Sequence, residues 1–326
     1  MRRLRLSNAF VLSVVAMTAI MGRPSFAQDW PTRVVKAIVP LTAASATDVA
    51  ARTVLNQLSS QIGQPIIVEN RPGAGNTIGM AAVARAEPDG YTILVNSSSH
   101  TIVPATYRQL SFDTMQDLRP VIPFGNVPIV VVVSPAKGYK TLHDLVAAAK
   151  AKPGSLSYAT AGAGNFSHLA TEAFRRIAGF EALHIPCKGA PEAITEVLSE
   201  RVDFFFSPLT VALPLIKDGR LVPLAVTGSQ RALALPNVPT TTEAGYLNSE
   251  YNFWVGMFVP AKTPGAIVDT LYRQTDLALQ NPGVREKLAL VGIDPMPLQQ
   301  AAFAALLAKE VETNTALANA LGLKIN

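Results

Sequence analysis

Two short stretches hold the residues best suited to chemistry in this chain. The first is Pro40-Leu41-Thr42-Ala43-Ala44-Ser45-Ala46-Thr47-Asp48. The second is Ala159-Thr160-Ala161-Gly162-Ala163-Gly164-Asn165-Phe166-Ser167-His168. Each follows a β-branched apolar run and leads into an amphipathic segment, so each reads as strand, small-residue loop and helix N-terminus. Ser45 with Asp48 fits a capping box, in which the Ser45 hydroxyl takes one orphan N–H and Asp48 reaches back to the cap. In the second loop Gly162 and Gly164 permit close backbone approach, and Asn165 can cap the helix. The free N–H groups left over, with the positive end of each helix dipole, favour an anion. Together the two loops describe a pincer for a carboxylate, and neither contains Arg or Lys.

Other reactive arrangements fail on spacing. No third glycine follows Gly164 where a dinucleotide loop needs one. His100, His168 and His184 fall near the loops, but none sits at a nucleophile–base spacing, and no nucleophile elbow, HExxH or acid pair is present. A satisfied, non-catalytic role is the reading for each histidine. Glu69-Asn70-Arg71-Pro72-Gly73-Ala74-Gly75-Asn76-Thr77-Ile78-Gly79 reads as a tight turn with a close helix–strand contact. Asn96-Ser97-Ser98-Ser99-His100 follows a strand and offers hydroxyls to a cleft. Lys188 is the one nearby cation that could reach the second end of a ligand.

These loops need a frame. Strands are expected at Val34–Val39, Ile66–Glu69, Thr92–Asn96, Ile129–Val133, Leu156–Ala159, Val202–Phe206, Leu224–Thr227 and Phe253–Phe258. Helices are expected at Thr47–Ile62, Leu142–Ala151, Phe166–Ile177, Pro191–Glu200, Val211–Lys217, Pro264–Gln280 and Gln299–Leu321. In the last, Phe303, Leu306, Leu307 and Val311 recur at helical spacing and belong on a core. The alternation of strand and helix predicts α/β layers with parallel strands. Two extended apolar runs, Val127–Val133 and Leu221–Val226, bracket a compact middle segment. They predict two α/β lobes joined by two extended crossings, with a ligand cleft between and a hinge near Val127–Val133 and Val222–Thr227. The first lobe then takes 28–126 and 228–326, and the second 127–227. Ligands in such sheets lie beyond the carboxyl ends of the strands, where both loops fall.

Composition closes off several classes. Of 326 residues, 49% are hydrophobic and 16% charged, which excludes intrinsic disorder. The only cysteine, Cys187, cannot form an internal disulfide, and no Cys/His cluster is available for structural zinc. Met1-Arg2-Arg3-Leu4-Arg5, the apolar stretch Ala9–Met21 and Ser25-Phe26-Ala27 make a secretory signal over 1–27, cut after Ala27. Its 13 apolar residues fall short of the ~20 that span a bilayer. The net charge of +5 belongs mostly to this segment, whose four arginines meet no acid; the remainder is close to neutral at +1. A nucleic-acid partner is therefore not expected.

The residues also resemble one family in order along nearly the whole mature chain. Val39-Pro40, Ala46-Thr47-Asp48, Val68-Glu69-Asn70-Arg71-Pro72-Gly73-Ala74-Gly75 and Pro88-Asp89-Gly90-Tyr91-Thr92 carry the resemblance. So do Gly162 to Ala170, His184-Ile185-Pro186-Cys187-Lys188-Gly189, Trp254-Val255-Gly256 and Pro260-Ala261-Lys262-Thr263-Pro264. They resemble the solute-binding receptors of tripartite tricarboxylate transporters, the Bug proteins. The resemblance implies a type II periplasmic binding-protein fold that closes on a small di-, tri- or aromatic carboxylate and delivers it to membrane permease subunits. It implies a monomer in the periplasm, without cofactor, metal or catalysis. The ligand set so implied is Leu41, Thr42, Ala43, Ala44, Ser45 and Asp48 from the first loop and Thr160, Ala161, Gly162, Asn165, Ser167 and His168 from the second. Ser97, Ser98, Lys188 and Ser207 complete it. A sensor of the same fold docking to a membrane signalling protein, or an enzyme using the same cleft, are the alternatives. Three positions depart from the family pattern. Leu41-Thr42-Ala43-Ala44-Ser45 stands where Phe-Pro-x-Gly-Gly is usual, Ser207-Pro208 where an acid–amide pair is common, and Cys187 where Tyr is usual. Without that acid, an ammonium-bearing ligand loses its partner.

Overall fold

The first half of the chain builds one sheet up to its edge before crossing to another. We describe residues 30–325 of the protein in a computed structural model; the expected leader over 1–27 lies outside them. The first lobe begins with β1 (Val35–Val39), α1 (Ala46–Ile62), β2 (Ile66–Asn70), α2 (Thr77–Ala84), β3 (Thr92–Ser97), α3 (Ser99–Thr106) and β4 (Leu118–Asn126). Only Val127 and Pro128 separate β4 from β5 (Ile129–Val133), the first strand of the second sheet. There follow α4 (Leu142–Ala151), β6 (Ser157–Thr160), α5 (Phe166–Ala178), β7 (Leu183–Pro186), α6 (Ala190–Leu198), β8 (Phe204–Pro208), α7 (Leu209–Lys217) and β9 (Val222–Val226). The chain returns with β10 (Trp254–Pro260), α8 (Gly265–Gln280), α9 (Pro282–Leu290) and α10 (Gln300–Ala320).

Two five-stranded sheets result, ordered β2-β1-β3-β10-β4 and β7-β6-β8-β5-β9. They are mixed, not purely parallel as expected. β10 runs antiparallel to β3 and β4, and β5 antiparallel to β8 and β9. The reason is geometric. The other strands run toward the cleft, whereas a strand arriving from the opposite lobe enters at the cleft side and must run away from it.

All five residues of β5 are buried, the continuous apolar run of a strand covered on both faces. β4 escapes a reading from sequence because Pro120, Pro123 and Gly125 interrupt it. It lies at a sheet edge, bulged against β10, where proline costs no ladder bond. β7, also unread, is one edge of the second sheet.

The second crossing differs from expectation. Val222–Val226 is a strand of the second sheet, paired with β5, not the link to the first. The segment that follows stays with the second lobe: Val226 bridges to Thr240, and Ala232 and Val238 pack on the core that holds Phe205 and Leu209. The return comes at Tyr251–Phe253, where the Val127 N–H donates to the Phe253 carbonyl at 2.6 Å. The two crossings thus run side by side.

α10 fastens the serine-rich end of β3 from behind. The Trp254 indole donates to Glu310 at 3.0 Å, and Thr101 of α3 donates to the same carboxylate at 2.9 Å. Burial raises the Glu310 pKa. No helix among the described residues is long and apolar enough to cross a membrane.

Candidate functional site

Four strands end at the junction of the lobes and hand the chain to helices there: β1 and β3 from one side, β6 and β8 from the other. At the end of β1 the loop is held by a buried carboxylate. Asp48 is 3% exposed and accepts from the Ala44 N–H at 2.9 Å, from Asn70 Nδ2 at 2.9 Å and from Arg52 Nε at 3.0 Å. Asn70 also donates to the Leu41 carbonyl at 3.0 Å and accepts from Arg52. The capping box is therefore altered: Ser45 Oγ accepts from Asp48 N as expected, but Asp48 reaches past the cap to Ala44. The Ser45 N–H is satisfied by the Thr42 carbonyl. Asp48 is a brace, with its oxygens already engaged. Ala44 holds φ +61°, a left-handed conformation that suits glycine better than alanine.

The loop after β6 is organised by side chains that cap it. Asn165 Oδ1 accepts from the His168 N–H and from the Ser167 hydroxyl, and Ser167 Oγ accepts from the Ala161 N–H at 2.9 Å. Gly162 (φ +139°) and Gly164 (φ +71°) take backbone conformations that only glycine adopts readily. His168 lies behind this loop, 6% exposed, accepting the Gly164 N–H on Nδ1 at 3.1 Å. It is pushed down to about 3, first by burial and then by the neighbouring His184 and Arg175.

Between the two loops lies a cavity of about 20 Å³, room for about one water. Leu41, Ser45, Ala161, Asn165 and Ser167 line it, as expected. Thr47, Ser99, Phe166, Pro208 and Phe253 line it as well, outside the expected ligand set. Thr47 stands out among them, fully buried with its hydroxyl unpartnered, in the first turn of α1 where N–H groups have no helical acceptor. Its place in Ala46-Thr47-Asp48, just past the cap, was the available signal. No ionisable side chain lines this cavity.

The other expected residues fall elsewhere. Ala43 and Ala44 are exposed, and Thr42 rests against Gly189 of the second lobe, where an added Cβ would strike the Thr42 hydroxyl. Thr160 and Gly162 form the base of the second loop. The Ser97 hydroxyl accepts from Ser99 N, the Ser98 hydroxyl is buried without a partner, and Ser207 donates to the Pro208 carbonyl. It is Ser99 that reaches across, accepting the Phe166 N–H at 3.4 Å. Lys188 is exposed and lines a groove of about 420 Å³ with Gly73–Asn76, Tyr107 and, from the second loop, Ala161, Gly162 and Ala163. Burial pushes the Cys187 thiol beside it up to about 11, aided by Glu192 and Glu196. His100 is fully buried in the core of the first lobe, stacked on Phe258 at 4.1 Å. Among the described residues no cluster of His, Cys, Asp and Glu could hold a metal.

The lobes are drawn shut in this structure. Thr106 Oγ1 donates to the Gly164 carbonyl at 2.8 Å and Tyr107 to the Ala163 carbonyl at 3.3 Å, both from the first lobe onto the loop of the second. A model of the tripartite tricarboxylate transporter family receptor matches residues 50–323. The chain belongs to that receptor family. Protein BugT of Bordetella pertussis is 32% identical over 317 residues, covering 97% of each chain. Among solved structures, a Rhodopseudomonas palustris protein with adipate superposes with a TM-score of 0.88 at 29% identity, covering 91% of this chain and all of that one. MatC from Rhodopseudomonas palustris with bound malate gives 0.84 at 27% identity, covering 88% and 99%. The receptor therefore has the two-lobed α/β fold of type II periplasmic binding proteins, with the strand-end loops of both lobes facing one cleft.

Proposed function

We propose that the receptor captures a small organic carboxylate in this cleft, outside the cytoplasm, and delivers it to the permease subunits of a tripartite transporter. The observation that carries this is the uncharged meeting of two helix N-termini; the space left between them holds only about one water, so the lobes part to admit a ligand. Two helix N-termini, those of α1 and α5, meet on a space lined by Ser45, Thr47, Ser99, Asn165 and Ser167 and by no charged side chain. Such a site suits an anion that is met by backbone N–H groups, hydroxyls and dipoles rather than by a counter-ion. The adipate and malate carried by the two superposable proteins agree with a dicarboxylate. The family's members are receptors, and cavity walls without an acid or base are in keeping with binding and release. Ser207, where a carboxylate would stand in the common family pattern, leaves nothing to pair with a ligand ammonium.

Mass spectrometry of ligand retained on protein purified under native conditions, followed by calorimetry with that compound, tests the reading. A retained acid that binds the purified receptor supports it. Binding abolished by Lys188→Ala but untouched by Ser45→Ala would replace the neutral pincer with a cation-centred site in the outer groove.

A further inference from the structure

Behind the ligand loop of the second lobe stands a column of three rings. His168 stacks on His184 with centroids 3.9 Å apart and planes 16° apart, and His184 stacks on Tyr158 at 5.0 Å. Each imidazole takes hold of a different end of the loop. At the far end the Gly164 N–H donates to His168 Nδ1, which demands that this nitrogen carry no proton. At the near end His184 Nε2 lies 2.7 Å from Thr160 Oγ1, whose own proton reaches the Gly162 carbonyl at 3.3 Å. Since a carbonyl can only accept, the chain runs from His184 Nε2–H through the Thr160 hydroxyl to Gly162. His168 is thereby fixed as a neutral imidazole with the proton on Nε2, and His184 carries a proton on Nε2, with burial against the His168 ring opposing a second one on Nδ1. The carbonyls between these two anchors, Ala163 and Gly164, are those gripped by Tyr107 and Thr106 of the first lobe.

We propose that the stacked His168–His184 pair is the positioning element of the Thr160–Gly164 loop, and that charging either imidazole lets the loop go and releases ligand. A proton on His168 Nδ1 would point a donor at the Gly164 N–H. A charge on either ring would stand against a neighbouring imidazole in a buried site. The ionisable groups facing the pair are Tyr158 from β6 and Glu172 and Arg175 from α5. Glu172 accepts from both the Tyr158 hydroxyl and Arg175, so its charge is already engaged. Burial lowers the His184 pKa below its ordinary 6.5, Arg175 adding to this and Glu172 opposing it. A histidine held neutral by the structure binds fewer protons than the released one. Affinity is therefore full above about pH 6.5 and falls as the pH drops through the window below it.

The proposal rests on the cleft being the carboxylate site, so its test includes a readout that needs no ligand. Amide exchange at Gly164 is followed in the ligand-free protein, and binding of malate and adipate is followed by calorimetry, for wild type, His168→Leu, His168→Asn and His184→Gln. Loss of one buried hydrogen bond predicts at least tenfold faster exchange and about tenfold or more weaker binding for His168→Leu. His168→Asn, whose Oδ1 can stand in for Nδ1, recovers both to within about threefold. From pH 7.5 to 5.5 the wild type loses affinity, whereas His184→Gln stays flat within about twofold because no titrating group remains at that position in the window. Unchanged Gly164 exchange in His168→Leu, or identical pH profiles for wild type and His184→Gln, overturns the proposal. Failure of both acids to bind the wild type would count against the choice of ligand, while exchange at Gly164 against pH would still decide the brace.

Discussion

Behind the β1–α1 loop stand a carboxylate, a guanidinium and an amide; behind the β6–α5 loop stand two neutral rings. Both loops present the same face to the cleft, a helix N-terminus with hydroxyls and no charge. What differs is how each is kept in place. Asp48, 3% exposed, gathers the Ala44 N–H, Asn70 and Arg52, whose side chain remains half exposed. His168 and His184 hold their loop by two single hydrogen bonds and a stack. A site that meets an anion with N–H groups and hydroxyls alone needs negative charge kept at a distance. The first lobe places its charge on the outer flank of the loop, and the second dispenses with charge in the brace. The first arrangement depends on a buried carboxylate keeping all its donors, and the second on imidazoles staying neutral.

The largest effect is expected at the charged brace. Asp48→Ala strips acceptors from Ala44, Asn70 and Arg52 together, and hydrogen bonds to a charged group are worth about 1.5–3 kcal/mol each. Thermal denaturation should show a loss of about 3 kcal/mol, and calorimetry no measurable binding. A variant that melts and binds like the wild type would remove Asp48 from the comparison. Next comes Ser45→Ala, which deletes both the α1 cap and a hydroxyl at the cavity wall. Affinity should fall roughly ten- to a hundred-fold by calorimetry. Ser167→Ala should cost less, about fivefold, because that hydroxyl is spent on Asn165 and Ala161 within its own loop. Reversal of this order would mean that Ser167 turns to the ligand.

Closure is tested without touching either brace. Gly189 has extended backbone (φ −179°), so alanine fits its conformation, yet its Cβ would meet Thr42 across the lobes. Gly189→Ala should leave the melting temperature within a degree or two, weaken binding about tenfold and blunt the compaction seen on ligand addition by small-angle scattering. Full compaction with wild-type affinity would show that the contact gives way freely. The smallest effect is expected for Ala44→Gly. Relief of the left-handed alanine is offset in part by the extra freedom of glycine in the unfolded chain, leaving a gain of up to about 1 kcal/mol in thermal denaturation.

Much of this frame is legible along the chain, and what escapes does so for identifiable reasons. Ile129–Val133 and Leu142–Ala151 have the expected ends because a run of β-branched residues and a capped amphipathic stretch each depend on local spacing alone. β4 hides behind two prolines that only an edge position excuses. The helix over Ser99–Thr106 hides behind Pro104. Within the site, Ser45 and Asn165 were readable as caps, since a cap acts on residues two or three positions away. Lys188 was readable only as a nearby cation, and its place in an outer groove follows from where β7 pairs in the sheet.

The sequence by itself determined the two strand–loop–helix units, the neutrality of both loops and the family to which the chain belongs, because these reside in residue type, order and short-range spacing. The tertiary structure alone decided which side chains face the cavity and which stand behind the loops. Asp48 became a brace once Asn70, 22 positions away, came to lie beside it. His168 met His184 only because β6 and β7 run parallel as neighbours, and Ser99 displaced Ser97 and Ser98 at the cleft through the phase of the turn between β3 and α3. The second crossing was decided the same way, by Ala232 and Val238 finding the core of the second lobe. Such outcomes depend on contacts between residues far apart in the chain, and a local pattern carries no information about which of its faces a distant partner will cover.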